Sequence, residues 1–187
     1  MEALGPGLVI IGETAFSGLY VIDLERIEDA RGLFARSFCL SELEAAGIDF
    51  EVVQANISFN NYAGTIRGMH YQFEPHTEGR IVRCTRGAIY DVSVDLRPES
   101  KTFCKWYARE LNSENRTALL IPRGFAHGFQ TLSNDTEVHY LVSTAYVRES
   151  YTGVRYNDPA FGIEWPMDVS SISDQDEQWP DFAGTKN

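Results

Sequence analysis

Past residue 50 the chain alternates apolar and polar positions in short runs, each closed by turn-forming residues. Period-two alternation is the mark of half-buried strands. It predicts strands over residues 51–58, 64–72, 80–85, 88–97, 103–111, 118–121, 126–132 and 137–144. Two more extended pieces, 18–25 and 33–38, precede them around a polar turn at 27–32. Arg86-Gly87 reads as a tight hairpin turn, while Asn112-Ser113-Glu114-Asn115 and Ser133-Asn134-Asp135-Thr136 read as loops. The one helix expected covers about residues 41–46, with Ser41 and Glu44 as a capping box and Gly47 as its stop. Many strands at roughly ten-residue spacing, with no helices between them, predict an all-β antiparallel sandwich or jelly roll. From Val147 onward the sequence is turn-rich and aromatic, which predicts an arm laid over the barrel. The expected organisation is one domain, with its core at 20–166 and a C-terminal arm at 167–187.

Alternation also assigns faces. In 88–97, Ala88, Tyr90, Val92, Val94 and Leu96 fall together, opposite Ile89, Asp91, Ser93, Asp95 and Arg97. Such a polar face either meets water or lines a cavity. Tyr140 shares its face with Val138 and Val142. In Ile66-Arg67-Gly68-Met69-His70-Tyr71-Gln72, strict alternation puts Arg67 and His70 on opposite faces. If both serve one site, the strand must break pattern at Gly68. A lone strand histidine is more often a packed core residue than a catalyst, so His70 needs partners before it means anything.

Composition narrows the function. The 187 residues are 43% apolar and carry a net charge of −11, enough for a real core and wrong for a nucleic-acid or anionic-membrane surface. Lysine occurs only at 101, 105 and 186, so the positive charge is nearly all arginine, the side chain suited to bidentate grip on carboxylate or phosphate. An acidic chain that handles an anion must gather those arginines locally. Cys39, Cys84 and Cys104 fit neither a disulfide framework nor metal spacing, and reduced thiols of a cytoplasmic protein are expected. The apolar run 7–12 is too short to span a bilayer and lacks the basic flank of a signal peptide.

Pro122-Arg123-Gly124-Phe125-Ala126-His127 is a P-x-G-x-x-H pattern and resembles the second motif of the cupins, small jelly-roll barrels. Many cupins hold a metal through His-x-His on the partner strand. Here that element is His70-Tyr71-Gln72. With one ligand replaced, a metal site is not expected, which leaves His70 and His127 for acid–base or hydrogen-bonding work.

A closer resemblance is carried by motifs in order: Asp29-Ala30-Arg31-Gly32-Leu33-Phe34, Gln54-Ala55-Asn56, Arg67-Gly68-Met69-His70-Tyr71-Gln72, Glu78-Gly79-Arg80-Ile81-Val82-Arg83, Val92-Ser93-Val94-Asp95-Leu96-Arg97, the Pro122–Phe129 stretch, and Asn157-Asp158-Pro159 through Ile163-Glu164-Trp165-Pro166. Together they are similar to the dTDP-4-dehydrorhamnose 3,5-epimerase family, from about residue 20 to 180. The resemblance implies a cupin-like homodimer without metal or other cofactor, acting on a nucleotide-linked 4-keto-6-deoxyhexose. A ketone at C4 acidifies the C–H bonds at C3 and C5, so a base can form an enolate and an acid can return a proton from the other face. By this resemblance His70 is the base, Asp176 orients it (with Asp174 in reserve), Tyr140 is the acid and Arg80 stabilises the enolate. Arg31, Gln54, Asn56, Arg67, Gln72 and His127 bind substrate, Arg31 reaching across the dimer. The chain departs from the family's usual lysine at Arg80, glutamate at Arg36 and Tyr151, and lysine at Leu141 and Gln175. The expected substrate is dTDP-4-dehydro-6-deoxyglucose. Single-centre inversion of a CDP-, GDP- or UDP-linked sugar, 3,4-ketoisomerisation and a non-catalytic sugar-nucleotide-binding barrel remain alternatives.

Overall fold

The computed structural model describes residues 8–184. Gly7 of the N-terminal apolar run and residues 185–187 of the expected arm lie outside the described residues. The elements run β1 (Val9–Glu13), β2 (Tyr20–Leu24), β3 (Ile27–Asp29), β4 (Gly32–Phe34), α1 (Leu40–Ala45), β5 (Gln54–Asn60), β6 (Ile66–Gln72), β7 (Arg80–Arg86), β8 (Ala88–Asp95), β9 (Trp106–Asn112), β10 (Ala118–Ile121), β11 (Phe125–Thr131), β12 (Thr136–Val142), β13 (Tyr151–Gly153) and α2 (Asp174–Glu177). Two antiparallel sheets result, ordered β1-β2-β10-β7-β12-β5 and β13-β6-β11-β8-β9, with β3 and β4 as a separate hairpin. This is the jelly roll that the strand spacing predicts.

Each face of the sandwich has its own apolar cluster. Between the sheets, Leu19, Val82, Ile89, Leu119, Phe125, Phe129 and Val138 are buried together, with Tyr140 against them. Outside the six-stranded sheet, Leu43 and Ile48 from the α1 region pack on Ile22, Ile81 and Leu120. Outside the five-stranded sheet, Val92, Val94 and Leu96 are covered by Val154, Phe161, Trp165 and Phe182. The two faces assigned to 88–97 are therefore correct. Its polar face lines the interior, where Asp91, Ser93 and Asp95 have no exposed surface.

Several local expectations change. Arg86-Gly87 is not a hairpin, because β7 pairs with β10 and β12 while β8 pairs with β11 and β9. It is a corner that carries the chain between sheets. Gly87 has φ +76°, and a Cβ there would lie 2.5 Å from Thr136 Oγ1, so only glycine turns this corner freely. Ser41 does not cap α1. The N-cap is Cys39, which makes no side-chain capping bond, and the Glu42 carboxylate instead accepts from the Val9 amide at 2.8 Å and pairs with Arg36. The stop is as expected. Gly47 N–H bonds to Glu44 O and Ile48 N–H to Leu43 O, a Schellman ending closed by the Leu43–Ile48 contact. The barrel begins before residue 20, since β1 pairs with β2 along its length. The polar turn at 27–32 is largely strand, β3 pairing with β4. The arm contains a second helix: Ser173 caps α2 by accepting from the Asp176 amide at 3.1 Å.

Asp95 ties down the loop after β8. Its carboxylate accepts from Arg97 Nε and Nη2 at 2.8 Å each, and from the Ser100 and Thr102 hydroxyls at 2.6 Å each. Burial acts to raise its pKa, but these bonds outweigh it and hold the group at about 2. A carboxylate depressed in the fold stabilises above its unfolded pKa, and that stability disappears as pH falls through the folded value. The shift corresponds to about 2 kcal/mol at neutral pH. Asp95→Asn is expected to lose at least about that much in urea unfolding at pH 7, with the gap to wild type narrowing as pH falls below about 4 toward 2. An equal gap at both ends of that range would contradict this account.

Candidate active site

The strand that carries His70 breaks its alternation as the shared site requires. His127 on β11 opposes His70 on β6, and Phe129 opposes Arg67. Two steps along β11 therefore match three along β6, so Gly68 and Met69 together face Gly128. The extra residue turns Arg67 and His70 to the same side. Gly68 has φ +130°, and a Cβ on it would fall 2.5 Å from Gly128 Cα. Two glycines back to back allow this contact.

On that side lie two adjoining cavities of about 330 and 400 Å³ between the sheets. His70, Arg80, Tyr140 and Tyr151 line both. Arg67, His127 and Phe129 belong to the first, and Gln54, Asn56, Glu78, Tyr146 and Gln175 to the second. His70 comes from the five-stranded sheet and Tyr140 from the six-stranded one, so the two stand on opposite walls. In a chain of net charge −11, two arginines and two histidines are gathered in this one space, as handling of an anion demands.

The His70 Nε2 is 2.7 Å from Asp176 Oδ1. Asp176 comes from α2 in the arm, where it also accepts from the Gly68 amide at 3.2 Å and the Trp179 indole at 3.3 Å. Burial alone would raise the Asp176 pKa, but the bonds from His70, Gly68 and Trp179 bring it below the usual carboxylate value. Burial lowers the His70 pKa, against the opposing pull of Asp176, and Arg80 and His127 lower it further. The pair is thus a carboxylate beside a neutral imidazole. A carboxylate only accepts, so Nε2 carries the proton and Nδ1 keeps the lone pair. The Tyr151 ring lies tilted against His70 with centroids 5.3 Å apart, and Trp179 stands 6.4 Å away. Burial drives the Tyr151 phenol far above its ordinary pKa. Where the resemblance leads one to expect a glutamate, this neutral group adds no negative charge that would raise the basicity of His70.

Arg80 is held on both edges, Nε and Nη2 by Glu78 and Nη1 by His127 Nδ1 at 3.2 Å. The Arg67 Nε donates to Asn60 at 2.7 Å. Gln54 donates to Asn56 at 2.9 Å.

Two sequence-predicted binding residues are not in the cavities. Arg31 lies on the β3–β4 hairpin with its side chain 90% exposed and paired to Asp29. Gln72, expected to contact substrate, is buried and fully engaged: its amide donates toward His76 O, Glu78 and Ala145 O, and its oxygen accepts from the Val147 amide. It anchors the 145–147 turn and presents no free group. Asp174 is exposed on α2, and Asp176 alone contacts His70. Sequence reasoning missed Glu78 and Trp179 as partners of site residues. It marked Asp91 only as part of a polar face.

A jelly roll with a histidine–aspartate pair and a facing tyrosine across an arginine-lined cavity defines a cupin-like barrel fitted for proton transfer at an anionic ligand. The family model described as dTDP-4-dehydrorhamnose 3,5-epimerase matches residues 13–184, and the chain belongs to that family. It is 40% identical over 179 residues to the dTDP-4-dehydrorhamnose 3,5-epimerase of Sinorhizobium fredii, covering 92% of each chain. A dTDP-4-dehydrorhamnose 3,5-epimerase from Bacillus anthracis, solved with TDP and PPi bound, superposes with a TM-score of 0.91 at 38% identity, covering 94% of this chain and all of that one. A Legionella pneumophila dTDP-6-deoxy-D-glucose-3,5-epimerase, in complex with dTDP-4-keto-L-rhamnose, gives 0.85 at 36% identity, covering 90% of each.

Proposed function

We propose that this chain is an isomerase that inverts C5 and C3 of a dTDP-linked 4-keto-6-deoxyhexose, converting dTDP-4-dehydro-6-deoxyglucose into dTDP-4-dehydrorhamnose. The observation that carries the reading is the placement of His70 and Tyr140 on opposite sheets across one cavity. Inversion needs a base on one face of the carbon and an acid on the other. His70 Nδ1 takes the C–H proton while Asp176 holds the ring and balances the imidazolium. The electron pair moves onto the C4 oxygen, and the Arg80 guanidinium stabilises that charge. The Tyr140 hydroxyl returns a proton to the opposite face of the carbon and is reprotonated from solvent, while the His70 imidazolium gives its proton up to solvent. Arg67 grips the diphosphate, Gln54 and Asn56 contact the ligand, and His127 lines the site beside the base.

The reading extends to one epimerase domain working as a cytoplasmic homodimer. Supporting this, the edge strand β5 exposes Ile57 and Phe59, and the β3–β4 hairpin exposes Phe34 beside Arg31. Unpaired edges with apolar side chains are normally covered, and a second copy would bring Arg31 to its neighbour's cavity. Among the described residues, no helix is long and apolar enough to cross a membrane.

The test is turnover of the dTDP-linked 4-keto sugar in D₂O, with deuterium read at each carbon. Label is expected at both C3 and C5. An absence of label with the dTDP, CDP, GDP and UDP forms alike would sink the enzyme reading. The pH dependence follows from His70. Its depressed pKa keeps the base free at and below pH 6.5, so the acid limb of kcat/KM is expected below that point. A limb well above it would mean that His70 is not the base.

A further inference from the structure

The polar face of β8 sends one carboxylate to a use that the proton transfers above do not call on. Asp91 has no exposed surface. Its Oδ2 is 2.8 Å from His127 Nε2. The other nitrogen of that ring, Nδ1, is the one 3.2 Å from Arg80 Nη1. A guanidinium has five donors and no acceptor. The Arg80 contact is therefore a hydrogen bond only if Nδ1 holds a lone pair. The ring's one proton must then sit on Nε2, where the Asp91 carboxylate accepts it. The cavity thus contains two imidazole–carboxylate pairs in the same tautomer, and they differ in what the free nitrogen meets. Among the described residues the Nδ1 of His70 has no hydrogen-bond partner, whereas that of His127 is spent on Arg80.

We infer that Asp91 is a positioning residue for the epimerisation: it fixes His127 as an Nε2–H tautomer, and His127 Nδ1 in turn fixes the Arg80 guanidinium at the cavity wall. The inference rests on the epimerase reading for its kinetic consequence, but not for the tautomer itself. It gives the arginine at this position a physical basis. An ammonium rotates its three donors to suit whatever lies near, whereas a planar fork is aimed by acceptors on its edges. Here Glu78 takes the Nε and Nη2 edge and His127 takes Nη1.

The direct test is imidazole ¹⁵N–¹H correlation on the labelled wild-type protein, with the His127 signals identified by their loss in His127→Gln. A protonated Nε2 and a bare Nδ1 are expected at neutral pH. A protonated Nδ1, alone or together with Nε2, overturns the inference without any Asp91 variant having to fold. The kinetic test is Asp91→Leu, which removes the acceptor and keeps the branched shape of the side chain. Carbon-bound deuterium exchange at saturating substrate is expected to fall on the order of 10–100-fold, the range found when a metal-bound imidazole loses its orienting carboxylate, with dTDP affinity unchanged. In an Arg80→Met background the same substitution is expected to cost almost nothing, because the residue it acts through is gone. Equal losses in both backgrounds would make Asp91 a purely structural residue and overturn the proposal. Absence of exchange in the wild type would instead count against the epimerase reading, with the tautomer measurement still deciding how the ring is held.

Discussion

His70→Asn is expected to lower deuterium exchange at both carbons by about 10²–10⁴-fold, the contribution of a positioned general base, while dTDP binding is retained. The asparagine amide has no basic nitrogen to take the proton. Asp176 keeps its bonds from the Gly68 amide and the Trp179 indole, so its carboxylate is not left without partners and the barrel should stay folded. His127 cannot take over, since its two nitrogens are engaged with Asp91 and Arg80. Exchange by NMR and dTDP titration by calorimetry on the same preparation separate chemistry from binding. Near-normal exchange in this variant would move the base to another group.

Gly68→Ala is the second large effect, and it acts on the fold and the site together. The new methyl would lie 2.5 Å from Gly128 Cα and 3.0 Å from His127 O. Both are backbone atoms, so no side chain can swing aside. The φ of +130° adds strain for any residue with a Cβ. A loss of roughly 3 kcal/mol or more is expected in urea unfolding, as for other buried clashes at special backbone positions. What remains folded should lose activity beyond the loss in stability, because relief of the clash must shift β6 against β11 and so move Arg67 and His70 relative to each other. A variant with wild-type stability and exchange would show that the bulge does not depend on glycine here.

The barrel was legible because burial on one face leaves a period-two trace. The strand 118–121 was found to the residue, and the two faces of 88–97 were assigned correctly. What alternation cannot carry is where strands pair. Arg86-Gly87 has hairpin chemistry, yet sequence gives no sign that β7 and β8 lie in different sheets. Capping motifs were equally ambiguous alone. Ser41-x-x-Glu44 and Ser173-x-x-Asp176 share one pattern, and only the second forms a cap, since α1 starts two residues earlier with Cys39 as its N-cap. For the site, alternation argued against joining Arg67 to His70, and Gly68 was the one local hint that it would fail. The His70–Asp176 contact spans 106 positions, a distance over which composition and periodicity say nothing. Only the resemblance to a family named that partner. Gln72 shows the converse: a position expected at the ligand from its motif is used inside for loop anchoring.

The sequence distance between His70 and its carboxylate has a consequence for how activity appears during folding. Asp176 and Trp179 lie outside the strands of both sheets, so a barrel whose arm has not yet docked lacks the carboxylate. A barrel at that stage would hold its cavity, its arginines and a histidine with no orienting partner. It could admit a sugar nucleotide and yet would be a poor proton acceptor. The chemistry would switch on only when the distant segment seats, so a misassembled chain would be silent and would not enolise its ligand without control of the face that is reprotonated.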